Sequence, residues 1–228
     1  MHKITILCSA HRENGLCNAG ELLKILRSIG PETVFEEIRP SSFEAYRKHG
    51  AKLSLEAQAI AEYLKIKSFE RVPVDRFDIP ESLLVDAKSE FDCVFDYVEQ
   101  TSREYQELAD ENDRRARQYG YGYLNSADFA ALRKRLSEIE DRTIGETGNQ
   151  TLIRALNRWR HLTLRREHEM VRVIYEFCRK NVFDTGVFLV GAAHWAGIVE
   201  EIGKYASSES DLISWGFADD GKVRLWNT

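Results

Sequence analysis

Four polar side chains in this sequence stand just beyond apolar runs: His11, Glu37, Asp75 and His194. Two imidazoles and one or two carboxylates can hold a divalent metal. Histidine with Asp or Glu suits Zn, Mn, Co or Fe better than Ca, and an open coordination position would let the metal activate water for hydrolysis. The same groups can also work without metal, with His11 deprotonating a water that Glu37 holds. Taken singly, each reads more simply as a cap, a turn former or a loop residue. Two histidines behind small-residue turns, Ser9-Ala10 and Ala192-Ala193, make the set a candidate functional site.

Positioning these groups together requires strands that end on one edge. Ile4-Thr5-Ile6-Leu7 is an apolar run, followed by Leu22, Leu23, Leu26 and Ile29 at helical spacing and a stop at Gly30-Pro31. Thr33-Val34-Phe35 comes next. Strand, helix and strand in that order form a βαβ unit whose right-handed crossover makes the strands parallel. His11 and Glu37 then leave at the same carboxyl edge, where open α/β sheets bind ligands. Residues Phe43 to Lys67 read as mostly helical, with Gly50 between two helices. Arg71 to Asp75 reads as a third strand, and its Pro73 suits a strand end or a sheet edge. Gly186 to Gly191 is the clearest buried strand, with a helix from Trp195 to Tyr205 behind it. Leu212 to Trp215 and Val223 to Trp226 read as two strands joined at Asp219-Asp220-Gly221, a hairpin-type turn.

Residues from about 80 to 182 carry hardly any strand signal. Val85, Phe91, Val94, Phe95, Val98 and Tyr105 follow a helical period, and Tyr119-Gly120-Tyr121-Gly122-Tyr123 breaks it. Asn125-Ser126 caps another helix running to about Arg142, and a long last helix spans about Thr151 to Asn181. Its inward face is expected at Leu156, Leu164, Val171 and Ile174. Arg158, Arg160, His161, Arg165, Arg166 and His168 give it a basic face, read for most of these as solvated. The expectation is a single α/β domain over residues 1–228: a mostly parallel sheet flanked by helices, with a large helical insertion at about 80–182 and a C-terminal β-hairpin.

Composition narrows the function classes. The 228 residues carry a net charge of -5, with 43% hydrophobic and 30% charged residues, as in ordinary globular proteins. Nothing in that balance signals nucleic acid. No apolar run approaches the roughly 20 residues that span a bilayer, so no membrane partner is expected. The chain passes from Met-His-Lys into a strand, which predicts no secretory leader. Cys8, Cys17, Cys93 and Cys178 lack C-x-x-C spacing and read as reduced thiols in the cytoplasm, with Cys8 close to the site.

At these residues the chain resembles the Tiki/TraB proteins and, more widely, the erythromycin esterase-like and ChaN-like superfamily. Pro31-Glu32-Thr33-Val34-Phe35-Glu36-Glu37-Ile38 is similar to the family's P-x-x-V-x-x-E-L, and Gly191-Ala192-Ala193-His194-Trp195-Ala196-Gly197 to its late G-x-x-H-x-x-G. Val74-Asp75-Arg76 looks like its I-D-R segment and Arg166-Glu167-His168-Glu169-Met170 like its R-D-x-Y-M helix. Cys8 stands where the first motif, G-x-x-H, has glycine, and Ser42 where an arginine often follows the glutamate. The family includes metal-dependent proteases, esterases of macrolide lactones and proteins with a suggested haem- or iron-binding role. The resemblance and the residues together point to a metal-dependent hydrolase of peptide or ester bonds acting on a small-molecule or peptide substrate. His11, Glu37 and His194 would bind Mn, Co or Zn or serve as general base, with Asp75 supporting and Arg166 stabilising an anion. The alternatives are a non-catalytic binding module for haem or an anionic small molecule, and a regulatory protein acting through its helical insertion.

Overall fold

A computed structural model describes residues 1–43, 54–76, 80–219 and 222–225. The first strand, β1 (His2–Ser9), is buried along almost its whole length and lies inside the sheet. Helix α1 (Ala19–Ile29) starts where the Asn18 side chain accepts the Glu21 amide and stops at Gly30, whose φ of 65° is left-handed. It leads to β2 (Thr33–Glu36). After α2 (Leu55–Leu64), β3 (Glu70–Pro73) forms the edge that its proline suits. The helical region is α3 (Glu81–Thr101), α4 (Arg103–Leu124), α5 (Ala127–Thr147) and α6 (Gln150–Cys178). The chain then returns to the sheet through β4 (Thr185–Gly191), a short 3₁₀ turn at Ala192–His194, α7 (Trp195–Glu209), β5 (Ile213–Asp219) and β6 (Lys222–Leu225).

The strand order is β3-β2-β4-β1-β5-β6, parallel from β3 to β5, with β6 antiparallel to β5. The sheet is thus α/β with a C-terminal hairpin, as the sequence pattern implies. Alternation along the strands makes two cores. Ile4, Ile6, Cys8, Phe35, Phe188 and Val190 face α6 and α7. Leu7, Val34, Val187 and Leu189 face α1 and α2, through residues such as Leu22, Leu26 and Ile60. A third core lies within the helical region, where Val94, Val98, Leu136, Ile139 and Leu156 pack together. Helix α6, about 43 Å long at 1.5 Å per residue, belongs to both. Its first half lies in the helical core, and its second half packs Met170, Val171 and Ile174 against the sheet.

The structure departs from the sequence reading in three places among the described residues. The helix expected through Tyr105 breaks at Ser102 (φ -110°, ψ 103°), because its side chain caps α4 by accepting the Tyr105 amide at 3.2 Å. Helix α5 runs past Arg142 to Thr147 and closes at Gly148, φ 62°. Leu164 is 52% exposed, on the side of α6 shared with His161 and His168; Leu156, Val171 and Ile174 face inward as expected. The helix expectation between 44 and 53, including Gly50, lies outside the described residues, as do Trp226 and the turn at Asp220-Gly221.

Candidate active site

Strand register brings the site together. Ser9 pairs with Gly191 at the ends of β1 and β4, and Glu36 pairs with Leu189 on the other side of β4. The next residues out are His11, Glu37 and, one short turn beyond Gly191, His194. Pairing of β2 with β3 continues past Pro73, where the Val74 amide donates to the Glu36 carbonyl at 3.0 Å. That places Asp75 on the same edge. Arg166 reaches it from the middle of α6.

Glu37 is the centre. Its Oε1 accepts from Arg166 Nη2 at 2.8 Å and lies 3.1 Å from His194 Nε2. Its Oε2 accepts the Gly191 amide at 2.7 Å and lies 3.7 Å from His11 Nε2. Arg166 also donates to Asp75, at 3.3 and 3.1 Å, so one guanidinium ties two buried carboxylates. The five residues singled out from the sequence therefore converge. The neighbouring Glu36 is held apart by a bidentate pair with Arg71, at 2.7 and 2.8 Å.

Two further carboxylates complete the arrangement. His194 Nδ1 lies 2.8 Å from Glu167, and His11 Nδ1 lies 2.7 Å from Glu56, which also accepts the Ser9 hydroxyl. Neither glutamate stands out in the sequence. Glu56 sits in the first turn of a helix, where acidic residues are common for dipole reasons alone. Glu167 follows Arg166 inside the helix motif, and on a helix of such mixed charge its burial leaves no sequence signal.

Burial alone would raise Glu37, but the hydrogen bond and charge of His194, then the charges of Arg166 and His11, hold it well below the usual carboxylate range. Burial would likewise lower His194, yet its bonds to Glu167 and Glu37 raise it to about 9. The raised value favours an imidazolium that donates to both neighbours, although burial raises Glu167 at the same time. Burial works against Glu56 too, and its bond to His11 brings it down to about 2. An ionised Glu56 can only accept, so His11 donates from Nδ1 and presents Nε2 towards Glu37. The bond to Glu56 is the main cause that raises His11. Its side chain is 52% exposed, against 9% for His194. Its backbone holds a positive φ of 56°, a conformation that non-glycine residues adopt at a cost and that recurs at functional sites. A cavity of about 320 Å³ opens here, with His11, Glu37, Glu56, Ser9 and Ser42 in its lining.

The two glycines of the Gly191–Gly197 motif leave room for side chains of the site. A β-carbon on Gly191 would fall on His11 Nε2 and press on Glu37 Oε2, and one on Gly197 would fall on the Glu167 carboxylate. Neither has a positive φ, so backbone freedom is not the reason.

The donor set does not fit a divalent metal in this arrangement. Among the described residues no group of three or more His, Cys, Asp or Glu side chains is placed to hold a metal ion. Both Glu37 oxygens and both Asp75 oxygens already accept from Arg166, His194 or the Gly191 amide, and His194 has a carboxylate on each ring nitrogen. A guanidinium stands where the second positive charge would go.

The other candidates fall elsewhere. Cys8 is fully buried, its amide and carbonyl held by Asn125, and burial followed by Glu37 pushes its thiol far up, so it is no nucleophile. All four cysteines are free. The Tyr119 to Tyr123 segment is a packed kink: Gly120 has φ 58° and lies against Leu16, and Tyr121 donates to the Asn18 carbonyl. His168 bonds Glu201 at 2.9 Å, Arg158 and Arg160 pair with acidic residues of the helical region, and His161 and Arg165 line a separate cavity; Arg166 bonds Glu37 and Asp75.

No protein-family model matches this chain, and no curated protein or solved structure matches it either. The resemblance to the Tiki/TraB proteins therefore stands on its short motifs alone.

Proposed function

We propose that this protein is a hydrolase of ester or peptide bonds in which His11 is the general base. The observation that carries this reading is His11 itself, half-exposed in the cavity, with Nδ1 held by an ionised Glu56 and Nε2 directed at Glu37. A partly buried carboxylate behind an accessible imidazole fixes its tautomer and supports the charge that builds up when it takes a proton. In the reaction, Nε2 removes a proton from a water beside Glu37 and the hydroxide attacks the substrate carbonyl carbon. The bond to the leaving oxygen or nitrogen then breaks, and His11 returns the proton to that atom. His194 and Arg166 act as fixed positive charges that keep Glu37 ionised and in place. No step is routed through a metal, because the carboxylates are committed to Arg166.

A second reading is a non-catalytic module for an anionic small molecule, favoured by the buried Nη2 of Arg39, which has no hydrogen-bond partner among the described residues, on the loop that follows Glu37. Hydrolysis of a panel of fluorogenic peptides and esters, wild type against His11→Asn and Glu37→Gln, separates the two. Turnover lost in both variants supports the hydrolase. A wild-type protein that binds anions and cleaves nothing in the panel leaves only the binding module.

A further inference from the structure

We infer that the cavity on the far side of Arg166 is an anion subsite of the same site, so that the substrate carries a carboxylate or phosphate group joined to an apolar one. The inference rests on the hydrolase reading for the word substrate, but the binding it describes is testable without turnover. This second cavity measures about 230 Å³ and shares Arg166 and Asp75 with the Glu37 cluster. It is below the roughly 300–1,000 Å³ of pockets that enclose a drug-sized ligand, so it suits one end of a larger molecule.

Its lining is cationic on one part and apolar on another. Arg39 and Lys88 add two positive charges, while the one carboxylate present, Asp75, is already bonded to Arg166. Lys88 pairs with Asp92 at the exposed surface, at 2.7 and 2.8 Å. Arg39 differs: its Nη2 is shielded from solvent and has no hydrogen-bond partner among the described residues. Buried N–H donors almost always find an acceptor, and the guanidinium, which lines the cavity, would give this one to an anionic oxygen there by turning towards it. Trp159, stacked on Phe91, adds a flat apolar wall together with Leu84 and Leu162. Arg166 lines this cavity and donates to Glu37, so a ligand held here lies one guanidinium away from the proposed reacting groups.

The test is isothermal titration of the full chain with phenyl phosphate, benzoate and neutral benzyl alcohol at fixed ionic strength. Wild type should bind the two anions at least tenfold more tightly than the alcohol, and Arg39→Gln should remove that preference. Lys88→Glu, which reverses a charge on an exposed side chain, should weaken both anions about tenfold even if Arg39→Gln fails to fold. With esters as substrates, Arg39→Gln should raise KM for an anionic ester and leave a neutral one unchanged. Anion preference that depends on Arg39 without any turnover would sink the hydrolase and keep the subsite. Equal binding of phenyl phosphate and benzyl alcohol by wild type, or unchanged anion binding in both variants, overturns the subsite whatever the turnover.

Discussion

His11 and His194 both leave the carboxyl end of a buried parallel strand, both have Nδ1 on a glutamate, and both direct Nε2 at Glu37. They differ in everything else that sets an imidazole's chemistry. His194 is buried between two carboxylates and stays charged, whereas His11 is half in solvent on a left-handed backbone with one close carboxylate. The comparison teaches that matched sequence signals can end in opposite settings; in the proposed mechanism one ring moves a proton and the other holds a charge. The separation comes from the residues behind each ring and not from the strand ends themselves.

The largest effects should come from breaking that difference by deletion. His194→Ala leaves Glu167 and Glu37 buried without their shared cation, and removing one partner of a buried ion pair costs about 3–5 kcal/mol. It should therefore lose both activity and stability, by denaturant unfolding. Strand-end position alone suggests that His194 is dispensable for folding; its burial argues otherwise. His11→Asn should lower kcat by about 10²–10⁴-fold, the usual worth of general base catalysis. Its unfolding free energy should stay within about 1 kcal/mol of wild type, because asparagine accepts a left-handed φ. A His11 variant with unchanged kcat sinks the assignment of the base.

The motif glycines sharpen the same contrast one step out. Gly191→Ala displaces His11 and Glu37, and Gly197→Ala displaces Glu167. Overpacking of this kind costs about 1–3 kcal/mol. Gly191→Ala should cut kcat about a hundredfold, as a misplacement of about 1 Å can. Gly197→Ala should instead act mainly on stability and on the titration of His194, followed by NMR.

These pairs also show what could be read from the sequence. The parallel strands, the hairpin and four of the converging groups follow from apolar runs and the polar residues behind them, because strand direction fixes which edge a residue leaves; Arg166, on a helix, is reached only through the resemblance. Glu56, Glu167 and Arg39 were not legible. Each arrives from a helix or loop whose angle to the sheet no local pattern encodes, and each looks in sequence like an ordinary surface charge. The Ser102 break was encoded in a capping residue but masked by continuous helical periodicity on both sides.

A smaller effect distinguishes the two rings by pH. His194 is raised from its ordinary 6.5 to about 9, so its contribution is complete below pH 6.5 and is lost as pH rises through 9. Glu56 is lowered from 4.5 to about 2, so its contribution is complete above pH 4.5 and is lost as pH falls towards 2. Melting temperature should fall on both flanks. Glu167→Gln should reduce the alkaline fall and leave the acid flank as it is. Glu56→Gln should reduce the acid flank, where Glu37 still contributes, and also the part that a raised His11 loses as pH rises above 6.5. A Glu167→Gln variant that changes the acid flank as well would mean that the two dyads titrate as one unit.

The smallest expected effect is that of metal, and it bears on the reading with which the residue types begin. Two histidines and a carboxylate are a common ligand set, but here Arg166 supplies the positive charge that a metal would bring to Glu37 and Asp75. A divalent ion would have to displace that guanidinium or approach a charged His194, and both are unfavourable in a buried setting. Protein stripped with EDTA and then given Mn, Co or Zn in turn should change its hydrolytic rate by less than about twofold. Removing the cation should reverse the preference: Arg166→Ala takes the guanidinium away from three carboxylate oxygens and leaves Glu37 and Asp75 without their shared cation. Divalent metal should then bind the Arg166→Ala variant more tightly than wild type by titration. Metal that raises the wild-type rate tenfold or more would show that Arg166 yields its place in the working enzyme, and the two histidines would become partners in coordination instead of opposites.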